Sequence, residues 1–243
     1  MTDYKADKTE AINKWWTSPL GQYVFKQEQV ILTTMPRFFH GYYQLQVGTA
    51  QSLLPPPTRP CKQKVMAKSA DIEGESTSLP FKSHSLDTLV LSHVLEFSDD
   101  PHQVIREAER VLVSDGTLIL LQFNPWSLWG LKRLFSLQDK PPWLGSFFGK
   151  TRIKDWMALL NFEVVTTERL LFSPPIQNET WLPRFHFMER WGKRLWPVFS
   201  GVTVCVATKR TIPLTPIKQH WRTKQLFPRP LSPNRASRDN INE

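Results

Sequence analysis

Cysteine is scarce in this chain. Cys61 and Cys205 are the only two, they lie far apart, and neither belongs to a CxxC pair. That excludes a disulfide framework and a thiolate zinc site, and it suits a reducing compartment. The six histidines never stand at ligand spacing with cysteines or acids, so no metal is expected. No apolar run approaches the ~20 residues that a membrane-crossing helix needs before charge or proline interrupts it. The first residues, MTDYKADKTEA, are polar and mixed in charge. They carry no apolar h-region, so the expected location is the cytoplasm. No internal repeat is visible.

The chain has 243 residues, 40% of them apolar, with ten Trp. That is enough for one large domain with a sizeable core. The net charge of +9 is unevenly spread. From Lys209 onward there are eight Lys/Arg against two Asp/Glu, which leaves 23 basic and 20 acidic residues in the rest. The body is therefore close to neutral and the basicity belongs to a tail, read as disordered from its repeated prolines and charge. The expected organisation is a helical region over 1–35, an α/β domain over 36–208 with an aromatic-rich insertion at 124–150, and the basic tail over 209–243.

Ser18-Pro19 reads as a helix start, with Ser at the N-cap and Pro at the first helical position. Leu20, Val24, Gln27 and Ile31 follow at helical spacing. Tyr42–Val47 alternates and runs into Gly48, as a strand entering a tight turn does. Pro55, Pro56, Pro57 and Pro60 then forbid an ordinary helix. Val65–Ala67 reads as a short strand. Leu86–Ser92 and Thr117–Phe123 are nearly continuous apolar runs, the pattern of strands buried on both faces. Between them Asp100-Pro101 opens a helix with Val104, Ile105, Ala108, Val111 and Leu112 on one stripe, and Gly116 marks a turn. This is a βαβ unit of the length that a right-handed crossover needs. Thr151 is expected to cap a further helix and Asn161 to end it. Phe162–Thr166 and Val202–Ala207 read as strands, and Met188–Trp196 as a helix.

A sheet of this kind carries its ligand at the C-terminal ends of its strands. Here those ends are Gly48, Ser92-His93 and Phe123-Asn124.

The block LPFKSHSLDTLVLSHVLEFSDDPHQVIREAERVLVSDGTLILLQFNPWSLWG, Leu79 to Gly130, resembles the core of class I S-adenosylmethionine-dependent methyltransferases of the small-molecule type. The similar features are Asp87 at the start of the fourth strand, the SHVLE run Ser92–Glu96, the REAERVL helix Arg106–Leu112, and Gly116 before the fifth strand. HVLEFSDDPHQV and FNPWSLWG are similar to a bacterial subgroup whose glycine-rich loop is degenerate. The resemblance implies a doubly wound, Rossmann-like sheet of seven mostly parallel strands in a single domain. It also implies S-adenosylmethionine as cofactor, held at Gly48, Thr49, Asp71, Ile72 and Ser92, with Asp71 accepting from the adenine amino group and Ile72 stacking on the ring. The chain departs from the family in two places. Its first strand ends in VGTAQ rather than GxGxG, and Cys61–Lys68 supplies no acid for the ribose hydroxyls.

Several residues have two readings. Asp71 may equally cap a turn, as Asp routinely does. His93 and Glu96 follow the fourth strand, where His could act as general base with Glu orienting it; capping or packing in a tight loop is the alternative. The aromatic segment, with Asn124, Trp126 and Trp129 at its head, could cover a substrate, complete the core, or form an interfacial patch that meets a membrane together with the basic tail. Nucleic acid is disfavoured by the near-neutral body. The expected activity is methyl transfer to a small, partly apolar substrate. The competing reading is a non-catalytic scaffold of the same fold that contacts a partner or a membrane surface.

Overall fold

The computed structural model describes residues 11–67, 70–135, 141–175, 191, 192, 194 and 196–210. The expected disorder of residues 1–10, most of the helix at Met188–Trp196, and the tail beyond 210 lie outside the described residues.

Helix α1 spans Pro19–Thr33, and the Ser18 hydroxyl accepts from the Gly21 amide, so the N-cap falls where Ser-Pro placed it. Strands β1 (Tyr43–Val47) and β2 (Lys62–Met66) follow with no helix between them. Then come β3 (Leu86–Ser92), the single turn α2 (Val94–Phe97), α3 (Pro101–Val111) and β4 (Leu112–Phe123). Helices α4 (Leu128–Phe135) and α5 (Lys150–Leu159) precede β5 (Phe162–Leu170) and β6 (Val202–Lys209).

The strands form one sheet in the order β2-β1-β3-β4-β6-β5. β2, β1, β3 and β4 are parallel, whereas β6 runs antiparallel to both β4 and β5. Six strands are present among the described residues, against the seven expected. Beside β2, where a further strand would add, only a single parallel bridge between Met66 and Ile72 is made.

The buried runs alternate as a two-faced strand must. In β4, Ile119, Leu121 and Phe123 face one core, and Leu118 and Leu120 the other. α1 packs on the first face through Leu20, Val24 and Leu32, together with Trp15 and Trp16. α3 and α5 cover the second through Val104, Ile105, Ala108, Ile153 and Met157. β4 begins at Leu112, earlier than the apolar run suggests. Its register against β3 shifts between Leu86 and Thr88, with Asp115 left-handed at φ 60°, so Gly116 lies within an irregular strand. Thr151 does not cap α5, which starts one residue earlier behind Gly149 with no side-chain cap. Asn161 takes the left-handed conformation expected of it.

The proline-rich segment explains the missing helix after β1. β1 places Leu45 and Val47 on one face and two buried glutamines, Gln44 and Gln46, on the other. A proline-rich chain cannot satisfy its own backbone groups, so partners must come from elsewhere. Gln46 Nε2 donates to the carbonyls of Thr49 (2.9 Å) and Gln51 (2.8 Å), and Gln46 Oε1 accepts from the Leu53 amide at 2.6 Å. Gln63 Nε2 donates to the Pro55 carbonyl and to Gln44 Oε1, each at 3.0 Å. Side-chain amides thus do locally what a helix would have done for itself.

Two features of the family-like block acquire structural roles. Asp87 Oδ2 accepts from the amides of Tyr42 and Tyr43, both at 2.9 Å, and so anchors the start of β1. Arg110 grips Glu107 in a forked ion pair and donates to the carbonyls of Phe81 and Leu79, while Glu107 accepts from the Leu79 amide. Leu79-Pro80-Phe81 is thereby clasped to α3.

Candidate active site

The C-terminal strand ends form a continuous row. Gly48 donates its amide to the Met66 carbonyl at 3.2 Å, and Met66 bridges to Ile72. On its other side Gly48 lies against the end of β3: a Cβ placed on it would meet the Ser92 carbonyl oxygen at 2.1 Å. Its φ of 122° adds a second reason for glycine. Gly48 and Asp71 are exposed, Ile72 is half-buried, and Thr49 and Ser92 are buried. The Ser92 hydroxyl has no hydrogen-bond partner.

The residues assigned to the cofactor are therefore neighbours along one edge, although not all in the expected posture. Asp71 Oδ2 accepts from the Val65 amide at 3.0 Å, on the outer side of β2. Asp71 thus caps the sheet edge and has only Oδ1 to offer a ligand. Thr49 is drawn inward, its carbonyl held by Gln46 and its hydroxyl accepting from the Gln51 amide. For an adenosine group the fit is partial. Bare backbone at Gly48, the apolar Ile72, the remaining Asp71 oxygen and the orphan Ser92 hydroxyl suit it. Met66 and Ala67, at the end of β2, offer no carboxylate for a ribose.

Beside this row lies a cluster that spacing did not reveal. His93, left-handed at φ 54°, is buried and held at both ring nitrogens. Nδ1 is 3.0 Å from Glu96 Oε1, and Nε2 is 2.7 Å from Glu28 Oε1, reaching across from α1. The second Glu96 contact comes from the Phe123 amide, which donates to Oε1 at 2.7 Å. Glu28 and Glu96 are both buried, and the outer oxygen of each lacks a partner. The imidazole stacks on Phe123 at 4.2 Å between centroids, with Trp16 at 5.5 Å. Burial pulls the His93 pKa down, but the two carboxylates outweigh it through their charge and hydrogen bonds and hold it at about 10. Burial pushes Glu28 up from the ordinary carboxylate range, more than His93 pulls it down. His93 is thus an imidazolium donating at both nitrogens, with no free lone pair. The simple general-base role expected of it is unavailable in this arrangement, although the expected partnership with Glu96 exists.

Glu28 was legible in principle. It falls in the stripe Leu20–Val24–Glu28–Leu32, all buried at steps of four, and a carboxylate in the middle of a buried stripe signals a partner. Reading the stripe through Gln27 and Ile31 missed it by about one residue's rotation.

The aromatic segment divides residue by residue. Trp129 is buried, stacks on Phe123 at 5.6 Å and donates its indole N–H to the Ser173 carbonyl. Trp143 and Phe147 are buried with it. These side chains complete the core, which removes Trp129 from the substrate residues. Asn124 is a bracket: its amide nitrogen donates to the carbonyls of Val198 and Ser200, and its oxygen accepts from the Trp126 amide. Trp126 is 72% exposed and covers no site. A cavity of about 250 Å³ does open nearby, between α2 and the segment after α4, lined by Glu96, Phe97, Ser98, Asp99, Leu144 and Ser146. Among the described residues no cluster of metal-ligating side chains exists, and no helix is long and apolar enough to cross a membrane.

Comparison with known proteins agrees with this architecture. Residues 52–120 match the family model described as a methyltransferase domain. The uncharacterized protein YafS of Escherichia coli is 31% identical over 212 residues, covering 84% of this chain and 85% of YafS. A malonyl-[acyl-carrier protein] O-methyltransferase of Coxiella burnetii is 32% identical over 107 residues, 43% of this chain and 37% of that protein. Among solved structures, a SAM-dependent methyltransferase from Thermotoga maritima superposes with a TM-score of 0.57 at 15% identity, covering 81% of this chain and 94% of that one. The strand order, the strand-end row and these likenesses agree: the chain belongs to the same family as YafS, carries a methyltransferase-domain match over residues 52–120, and has the class I methyltransferase fold.

Proposed function

We propose that this protein is a working methyltransferase that takes its methyl group from S-adenosylmethionine and passes it to a small, partly apolar acceptor. The observation that carries the reading is the row Gly48–Met66–Ile72 with Ser92 beneath it, at the strand ends where this fold binds ligands. When bound, the cofactor supplies an already activated methyl group on a sulfonium. The protein's task is then alignment more than covalent chemistry. Gly48 leaves the backbone bare for close approach, Ile72 offers an apolar face, and Asp71 Oδ1 accepts from the adenine amino group. Thr49 and Ser92 shape the floor. The acceptor occupies the cavity between α2 and Leu144–Ser146, whose lining is mainly polar, so its polar groups meet Glu96, Ser98, Asp99 and Ser146 and only a small apolar part meets Phe97 and Leu144.

If the acceptor must lose a proton, the cluster of Glu28, His93 and Glu96 receives it. Both imidazole nitrogens are engaged, so the proton comes to rest on a carboxylate: Glu96 lines the cavity, and Glu28, whose proton affinity burial raises, stands behind it across His93. The base role first assigned to His93 and Glu96 thus passes to a unit that includes Glu28.

Calorimetric titration with S-adenosylmethionine and S-adenosylhomocysteine tests the reading. Micromolar binding that weakens several-fold in Asp71→Ala is expected. A folded protein that binds neither compound at millimolar concentration overturns it, and unchanged affinity in Asp71→Ala removes Asp71 from the site.

A further inference from the structure

A surface on the far side of the aromatic segment has no place in methyl transfer. α4 buries Trp129 but leaves Leu131 and Leu134 exposed, Leu134 at 80%, and Trp126, two residues before the helix, is exposed as well. Asn124 pins a second segment against the root of this one through its bonds to the Val198 and Ser200 carbonyls, at 2.7 and 2.9 Å. That segment exposes Trp196, Val198 and Phe199, each more than half accessible. Two stretches of chain distant in sequence are thus brought together at Asn124, and each exposes large apolar side chains, tryptophan among them. Isolated exposed apolar residues are ordinary on a folded protein, but a concentration of large ones drawn from two segments marks a contact surface.

The charge around the patch identifies the occupant. Among the described residues of 124–135 and 191–202 the charged side chains are Lys132, Arg133 and Arg194, all cationic. Arg194 is exposed; Lys132 and Arg133 are partly so, Lys132 Nζ donating to the Pro175 carbonyl and Arg133 Nε to the Trp143 carbonyl. A protein partner of general kind would not require the absence of acids. An anionic surface would, because every carboxylate there would repel it. Tryptophan, with an apolar body and one polar N–H, suits the boundary between headgroups and acyl chains. Leucines on one face of a short helix with cations flanking them are the composition of an interfacial helix. We infer that the surface formed by α4 and residues 196–199 docks the protein on anionic lipid, with Leu131, Leu134, Trp196 and Phe199 inserted at the headgroup boundary. The inference does not depend on methyl transfer.

Flotation of the full chain with vesicles tests it. Binding to vesicles containing about one-third phosphatidylglycerol is expected, with far less on phosphatidylcholine alone, and should weaken as salt is raised. The double substitution Leu131→Ser and Leu134→Ser should lower the bound fraction at least tenfold. Its melting temperature should move little, because Leu134 is mostly and Leu131 about half exposed. Arg194→Gln should weaken binding to anionic vesicles alone. Three results overturn the inference: no flotation on anionic vesicles; flotation indifferent to the double substitution, which would place binding in the basic tail; or a concentration-dependent dimer that the same substitution dissolves, which would make a second copy the occupant.

Discussion

Replacing Glu28 by leucine should destabilise the protein through one identifiable atom. The His93 Nε2–H, buried and donating to Glu28 Oε1 at 2.7 Å, would lose its acceptor with no water to replace it. Leaving such a donor unsatisfied costs about 1–3 kcal/mol. Part of this is offset because the unpartnered Glu28 Oε2 is also removed. A net loss of about 2 kcal/mol translates into a fall in melting temperature of about 4–8 °C for a chain of this size. Glu28→Gln keeps an acceptor oxygen and removes only the charge, so its cost at neutral pH should be roughly half or less.

The two variants separate more clearly along the pH axis. His93 has a folded pKa of about 10, above its ordinary value of 6.5. The folded state therefore binds more protons than the unfolded state between those values, and stability must fall as pH rises through that window. The contribution is fully present below about pH 6.5 and lost by about pH 10. Glu28, also raised, adds a fall with rising pH that begins at the ordinary carboxylate value. In Glu28→Gln the His93 pKa should drop, moving the decline toward neutrality. Scanning calorimetry from pH 6 to 10, with the double-mutant cycle Glu28→Leu against His93→Asn, measures both effects. Asparagine tolerates the left-handed backbone at position 93. Coupling of about 1–2 kcal/mol is expected. Additive losses, or a Glu28→Leu variant within 1 °C of the parent (about a quarter of the smallest expected shift), would refute the role given to this contact.

Gln46→Ala should leave the Leu53 amide and the Thr49 and Gln51 carbonyls without partners, costing about 2–4 kcal/mol; limited proteolysis should then cut within 49–55, and unchanged resistance would count against the amide scaffold. Gly48→Ala combines a left-handed φ with a collision against the Ser92 carbonyl, so a melting-temperature loss of at least several degrees is expected even without ligand. Arg110→Met should release the Leu79–Phe81 segment from α3, visible as faster amide exchange at Leu79 with little change in β4.

What the sequence determined by itself is what depends on local periodicity. Continuous apolar runs at Leu86–Ser92 and Thr117–Phe123 mark the buried strands, Ser18-Pro19 and Asp100-Pro101 mark helix starts, and four prolines exclude a helix after β1. These follow from the period of side chains along a backbone and from proline's fixed φ, and they located the strand-end edge on which Gly48 and Ser92 lie. Pairing between distant elements was decided only by tertiary structure. Glu28 and His93 are 65 positions apart and become partners because α1 crosses the end of β3. Trp129 and Trp126, three residues apart on one segment, end respectively in the core and in solvent, because Ser173 and Phe123 receive the first while the second points away from them and is 72% exposed. Asp71 had two readings, ligand and cap, until β2, as an edge strand, presented an amide that needed an acceptor. Composition and spacing record which side chains a chain carries, but the hydrogen-bond partners of a buried polar atom exist only once the chain has closed on itself.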